Sequence, residues 1–309
     1  MQSLLPPTDP LDQPTIDVAD DLYRNHFDGH VNREVLRETN RWRGTDVATA
    51  LLYLHFYHQL AGTPAIKPPQ NNKPWMLAIV PGAFYREHPE IGGDGRALAE
   101  VAKSKGWNCQ LIATESLGTL EENASSIIRF IHRHSNTHQI LLASFSKGTA
   151  DMTAAARREP AILDHVCGWV SVSGLPRGTM MADWLLDRWR LRLIMNVMCW
   201  RRGTDKQAVR DLRHRRISIP KHFFEIPCIH FAGFPLQRHL SNWRSRLWHR
   251  RFRPIGPNDS VVLLEDLFDL PGTVIPIWGA DHYLKSDWNF AGAVGEIVHR
   301  LTPHSPQVR

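Results

Sequence analysis

From residue 75 onward, short apolar runs alternate with longer segments whose apolar residues recur at helical spacing. Runs at 76–80, 109–113, 139–143, 168–172, 228–232 and 273–277 read as strands. They lack the in–out alternation of a half-exposed sheet, so both of their faces are expected to be covered. Segments 95–105, 119–134, 148–158 and 289–301 read as helices between or after them. Strand and helix in turn predict an α/β domain with a mostly parallel sheet of about six strands. The first 70 residues differ. They open rich in Pro and Asp, then carry a helical pattern over 46–57, and Pro64, Pro68 and Pro69 with Gln70, Asn71 and Asn72 read as a linker. Two further stretches break the alternation, one at 175–224, rich in Trp and Arg, and one at 237–253. No repeat or low-complexity tract is visible.

Composition adds bounds rather than direction. A chain of 309 residues with 42% hydrophobic and 22% charged residues can bury one large elaborated domain. No apolar run reaches the roughly 18–20 residues of a membrane-spanning helix. Met1–Pro7 lacks a charged start and an apolar core, so no signal peptide is expected. The four cysteines, Cys109, Cys167, Cys199 and Cys228, are widely spaced with no CxxC, which suits free thiols in a reducing, cytoplasmic setting.

Charge is more informative. The net +6 hides a segregation: residues 177–253 hold 18 Lys+Arg against 5 Asp+Glu, so they carry +13 and the remainder −7. Five of the eleven tryptophans, Trp184, Trp189, Trp200, Trp243 and Trp248, fall in the same stretch. Such a mixture suits either a solvated basic face with tryptophans packed beneath it, or peripheral contact with an anionic membrane or acidic partner. Nucleic acid is the less favoured partner, and the Arg213-His214-Arg215-Arg216 run is expected to be solvated surface.

Candidate chemistry begins at Ser144-Phe145-Ser146-Lys147-Gly148, directly after the 139–143 strand and before a helix. A serine there can sit on a sharp turn, its hydroxyl lifted clear of the sheet above a helix N-terminus. A plain turn with Ser146 as helix cap is the simpler alternative. The pentapeptide resembles the nucleophile elbow G-x-S-x-G of the α/β-hydrolase superfamily, with Ser144 in place of the first glycine. The resemblance spans roughly residues 75–302 and implies an α/β-hydrolase fold in which 71–174 and 225–309 form the core, 175–224 a helical cap and 1–70 a helical N-terminal extension. The antiparallel strands that usually open that fold are not visible here.

The same resemblance implies the partners of the serine. Gly279-Ala280-Asp281-His282 follows the last strand, where the superfamily carries its histidine, so His282 is the expected general base. Gly256-Pro257-Asn258-Asp259-Ser260-Val261-Val262 resembles the N-D-G-V-V string that supplies the acid, which makes Asp259 the candidate, with Ser260 in place of glycine. Glu265, Asp266 and Asp269, and in a minority architecture Asp183 or Asp187, are the competing acids. Serine is a weak nucleophile near neutral pH, hence the need for a base and for an acid that orients it. The loop Pro81-Gly82-Ala83-Phe84-Tyr85 resembles the oxyanion segment, so the backbone N–H groups of Ala83 (or Phe84) and Lys147 are the expected oxyanion donors, with Gly82 permitting the geometry.

These features imply a serine hydrolase that cleaves a carboxylic ester, with no cofactor and no metal. Met180, Met181, Trp184, Leu185, Leu186, Leu191, Ile194, Met195 and Met198 would give the cap an apolar ceiling, suiting an acyl or lipid-like substrate. A non-catalytic protein of the same fold that binds an anionic surface, and thioester, amide or acyl-transfer chemistry on the same residues, are the alternatives. The glycine-rich Ile91-Gly92-Gly93-Asp94-Gly95 reads as a loop shaping the pocket rather than a phosphate cradle. His132, His134 and His138 cluster near a helix end without acidic or thiol ligands at metal spacing.

Overall fold

The computed structural model describes residues 5–62, 73–214, 217–240, 242–284 and 290–301. The linker read at 64–72, and Arg215 and Arg216 of the basic run, lie outside them. Six strands form one sheet: β1 (Trp75–Val80), β2 (Cys109–Leu111), β3 (Gln139–Phe145), β4 (Val166–Val172), β5 (Cys228–Phe234) and β6 (Thr273–Trp278). Their order is β2-β1-β3-β4-β5-β6 and every pairing is parallel. The expected six parallel strands are therefore present. β3, β4 and β5 are buried along almost their whole length, which is why their sequences run apolar without alternating. β2 is shorter than the 109–113 run suggested, because it lies at the sheet edge where Gln110 and Leu111 are exposed.

Helices cover both faces. α4 (Arg96–Ser104) and α11 (Phe290–Leu301) lie against each other, and their Leu98, Val294 and Ile297 pack with Leu77, Leu141 and Ile229 on one face. α5 (Leu120–Ser135) and α6 (Lys147–Arg158) cover the other face with Ile127, Ile131 and Met152 against Met76, Ile140 and Leu142. Helix α5 starts where a capping box fixes it, Thr119 and Glu122 each bonding the other's backbone N–H. The β5–β6 end of this second face would be bare, and the N-terminal segment fills it.

That segment comprises α1 (Gln13–Asp21), α2 (Arg33–Arg43) and α3 (Thr45–Gln59). α3 is buried nearly all round, from Ala48 to Phe56, because α1 and α2 pack on its outside and the sheet lies inside. Its aromatic end meets Phe234 and Trp278 through Tyr53 and Phe56. Asp12 ties the segment down. Fully buried, it accepts from Trp278 Nε1 (2.7 Å) and His239 Nε2 (3.0 Å) and pairs with Arg238.

The β4–β5 connection holds α7 (Met180–Asp187), α8 (Trp189–Arg202) and α9 (Gln207–Asp211). The β5–β6 connection holds α10 (Trp243–Phe252). The Arg213-His214 part of the basic run is not free surface as expected. Arg213 pairs with Asp183 and Asp187, and His214 Nε2 lies 2.8 Å from Asp266 Oδ2. Arg213 braces the insertion internally, and His214 joins it to the core through Asp266. Three of the cysteines are buried free thiols, while Cys109 on the edge strand is only half-buried. Burial pushes the thiols of Cys109 and Cys167 up to about 11 and about 12, so both stay protonated and inert at neutral pH. No helix among the described residues is long and apolar enough to cross a membrane.

Candidate active site

Strand order reverses between β1 and β3, since β2 leaves to one side of β1 and β3 to the other. A doubly wound sheet opens a crevice at that point, outside the carboxyl ends of the strands. Ser146 stands there. β3 runs to Phe145, two residues beyond the sequence expectation, and α6 begins at Lys147, so Ser146 is the entire turn between them. Its backbone takes φ 46°, ψ −114°, a conformation that costs a non-glycine residue about 1–3 kcal/mol. The surrounding backbone holds it: Ser146 N–H donates to Val172 O (3.0 Å), and its carbonyl accepts from Thr149 N (3.1 Å) and Leu175 N (3.2 Å). Gly148 is required beneath the turn, because a Cβ there would lie 2.5 Å from Val80 O and 2.6 Å from Pro81 O.

The three residues singled out from sequence are brought together. Ser146 Oγ lies 2.9 Å from His282 Nε2, and His282 Nδ1 lies 2.8 Å from Asp259 Oδ2. His282 and Asp259 are both buried. The second carboxylate oxygen of Asp259 accepts from Val261 N (2.9 Å) and Val262 N (2.8 Å), so the carboxylate is fixed by the turn that carries it. His282 N–H in addition donates to Asp259 O at 3.2 Å. A carboxylate oxygen against Nδ1 favours the tautomer with the proton there, which leaves Nε2 able to accept from a hydroxyl.

None of the competing acids is in this chain of bonds. Glu265 binds Arg37, Asp266 binds His214, Asp269 binds Arg33 and Arg177, and Asp183 and Asp187 bind Arg213. The residues named for an oxyanion site, Gly82, Ala83, Phe84 and Lys147, line the same cavity as Ser146. Gly82 comes close: a Cβ on it would stand 3.1 Å from Phe145 O and 3.2 Å from Ser146 Cβ. The glycine-rich loop joins them, with Gly93 O accepting from Gly82 N at 2.8 Å and Gly92, Gly93 and Gly95 lining the cavity.

Two polar networks beneath the serine had no motif to announce them. Ser144 Oγ accepts from Trp169 Nε1 (2.8 Å) and shares a hydrogen bond with Thr149 Oγ1 (2.9 Å), which shares another with Ser171 (2.9 Å). All four are buried. The Lys147 ammonium is also buried, 2.7 and 3.0 Å from the Asp151 oxygens, and Asn123 Nδ2 donates to the same carboxylate at 3.0 Å. Burial pushes the Asp151 carboxyl above its ordinary value, opposed by Lys147 and Asn123. The sequence signal was a serine inside each apolar strand run, Ser144 in β3 and Ser171 in β4; Asp151 had none, because α6 carries many other polar residues.

The cavity above Ser146 has a volume of about 650 Å³. Six of the nine residues expected in the apolar ceiling line it: Met181, Leu185, Leu191, Ile194, Met195 and Met198. Met180, Trp184 and Leu186 do not. Trp184 packs edge-on against Trp248, and Leu186 lies under α8 with Met195 and Cys199. Among the described residues the acidic and basic side chains on the wall, besides His282, are Glu90 and Lys147, and the latter is committed to Asp151. The phenol of Tyr283, beside His282, is pushed above its ordinary value by partial desolvation and by the nearby Asp281 and Asp259 carboxylates, opposed by Arg244. Among the described residues no group of three or more His, Cys, Asp or Glu side chains is placed to hold a metal ion. His132 instead meets Glu159 at 2.5 Å, and His138 bonds Asn108 and Thr137.

No protein-family model matches the chain, and no curated protein sequence matches it. Solved structures do. The metagenomic carboxyl esterase MGS0156 is similar with a TM-score of 0.58 at 16% identity, over 77% of this chain and 79% of that one. The mature form of Bacillus licheniformis lipase BlEst2 is similar with a TM-score of 0.56 at 17% identity, over 77% of this chain and 96% of that one. Its propeptide form gives 0.59 at 16% identity, over 80% and 54%. The chain has the α/β-hydrolase fold.

Proposed function

With that fold as the frame, we propose that the protein is a serine hydrolase acting on carboxylic esters with an acyl or other apolar portion. The observation that carries the reading is the bonded series Ser146–His282–Asp259, at 2.9 and 2.8 Å, opening onto an apolar cavity. A carboxyl esterase and a lipase among the similarly folded structures support the same class.

Ser146 Oγ attacks the ester carbonyl carbon while His282 Nε2 takes its proton. Asp259 accepts from Nδ1–H and stabilises the imidazolium that forms. The oxyanion receives the backbone N–H groups of Lys147 and Ala83, each such donor contributing about 3–4 kcal/mol to the transition state. Collapse of this intermediate breaks the bond to the leaving alkoxide, to which His282 gives its proton, leaving the acyl group on Ser146. Water enters, His282 takes one of its protons, and the acid leaves with the serine restored. Helices α7 to α9 act as the cap over this chemistry. Their side chains favour a hydrocarbon chain, and the Lys147 ammonium on the wall is paired with Asp151 rather than free for an anionic acyl end.

The test is covalent. A fluorophosphonate probe is expected to label the wild type at Ser146 and to leave Ser146→Ala unlabelled. A folded wild type that takes no label overturns the reading. A panel of p-nitrophenyl esters, acyl thioesters and amides then fixes which bond is cut.

A further inference from the structure

Helix α8 presents three distinct faces. Met195 and Cys199 are buried against Leu186 and Val209. Ile194 and Met198 are half-exposed and line the cavity above Ser146. At about 100° per residue, Trp189, Leu193, Val197 and Trp200 fall in one outward stripe. All four are exposed, Trp189 to 65% and Trp200 to 80%. A contiguous apolar face of this kind on an outer helix marks an interaction surface.

Charge decides the partner. Arg190 and Arg201 fall on the helix between the stripe and the cavity rim, and the Arg190 guanidinium stands 5.2 Å from the Trp189 ring. The same arrangement recurs on α10, where Trp243 is 68% exposed with Arg244 at 5.4 Å. α10 is joined to α7 by the Trp184–Trp248 contact, with Arg188 and Arg251 at 4.4 and 4.0 Å from Trp184. The two basic insertions thus form one tract of tryptophan and arginine. A second copy of the chain would bring that basic tract against itself, which repels. Anionic lipid complements it, with indoles at the headgroup boundary and guanidinium groups on phosphate.

We propose that the outward face of α8, flanked by its own Arg190 and Arg201, docks on an anionic lipid surface, and that apolar substrate passes from it between Ile194 and Met198 to Ser146. Docking stands independently of the hydrolase reading; delivery of substrate rests on it.

Purified protein is sedimented with phosphatidylcholine vesicles, with and without phosphatidylglycerol. The wild type is expected to pellet with the anionic vesicles and to be released by salt. Ser146→Ala is expected to bind as the wild type does, which separates docking from catalysis. The Trp189→Ala/Trp200→Ala variant is expected to lose affinity on the order of tenfold or more. Arg190→Gln/Arg201→Gln is expected to lose the preference for anionic vesicles. Both double variants should keep their circular dichroism and their hydrolysis of a soluble p-nitrophenyl ester. Failure of the folded wild type to pellet with anionic vesicles overturns the proposal, as does unchanged binding by the tryptophan variant. A dimer in sedimentation velocity that the tryptophan variant dissolves, without vesicle binding, assigns the face to a second copy and overturns it too.

Discussion

Replacing Ser144 by glycine would bring the pentapeptide to the usual form of the motif, yet it is expected to weaken this protein. Ser144 Oγ is the acceptor for Trp169 Nε1 at 2.8 Å, and Trp169 is 1% exposed. Without that oxygen the indole N–H is left buried and unpaired, a cost of about 1–3 kcal/mol. Thr149 retains Ser171 and so adds little. Ser144→Ala isolates this term. Ser144→Gly adds the conformational cost of glycine in a strand, about 0.5–1 kcal/mol, for a total of about 1.5–4 kcal/mol. For a chain of 309 residues that corresponds to a Tm lower by roughly 2–6 °C. Urea unfolding of the wild type, both variants, Trp169→Phe and the Ser144→Ala/Trp169→Phe pair completes a double-mutant cycle. The coupling should be about 1–2 kcal/mol, because Ser144→Ala costs little once the donor is gone. A Ser144→Gly protein as stable as the wild type, or an Ala substitution equally costly in the Trp169→Phe background, would refute the reasoning.

Asp259→Asn keeps the shape of the acid but turns an amide N–H₂ toward His282 or selects its wrong tautomer; fluorophosphonate labelling of Ser146 should slow by about 10⁴-fold, and a rate within tenfold of wild type would remove Asp259 from the mechanism. Ser260 sits at φ 81° with its buried hydroxyl unpartnered among the described residues, so Ser260→Gly should stabilise the fold by up to about 1 kcal/mol, read as a raised Tm; a lower Tm contradicts this. Burial lowers His230 and His249 to about 4 from an ordinary 6.5, so the unfolded chain binds more protons between those values. Their contribution is fully present above pH 6.5 and is lost as pH falls toward 4, at most about 3 kcal/mol for each. Unfolding midpoints measured from pH 7 to 4 should fall steeply, and less so for His230→Gln; a flat wild-type profile counts against it.

Most of the sheet was legible because β3, β4 and β5 are buried on both faces and so read as unbroken apolar runs, bounded by glycine or polar turns. The edge strand was overextended because exposure there is a tertiary fact that Cys109–Ala113 does not carry in its residue types. Ser146 and His282 were legible through position at strand ends. Asp259 was the least secure in principle, since α10 and its basic run separate it from β5, but its own turn delivers it: Asp259 N–H donates to Val262 O, and its carboxylate takes the Val261 and Val262 N–H groups. What periodicity could not supply was the pairing of charges between distant segments. Asp12 with Arg238, and His214 with Asp266, turn two polar stretches from apparent surface into the joints between extension, insertion and core.

The two serines that stand where the superfamily pattern has glycine therefore differ in kind. At 144 the backbone is regular strand, in register with Val80 on one side and Ser171 on the other, and needs no glycine for its conformation. What the position demands is a small side chain, and serine meets that while giving Trp169 an acceptor inside the core. At 260 the backbone itself is left-handed, the conformation that makes glycine favourable, and serine bears the strain with its hydroxyl unpartnered among the described residues. One departure is a replacement of function by function; the other is a cost held in place by the turn that presents Asp259. That turn is anchored from both sides, by Leu264 N donating to Pro257 O and by Thr179 Oγ1 donating to Val261 O, the latter reaching it from the start of α7. The turn that carries Asp259 is thus hydrogen-bonded to the insertion whose helices line the cavity, through Val261, the residue whose N–H the Asp259 carboxylate accepts.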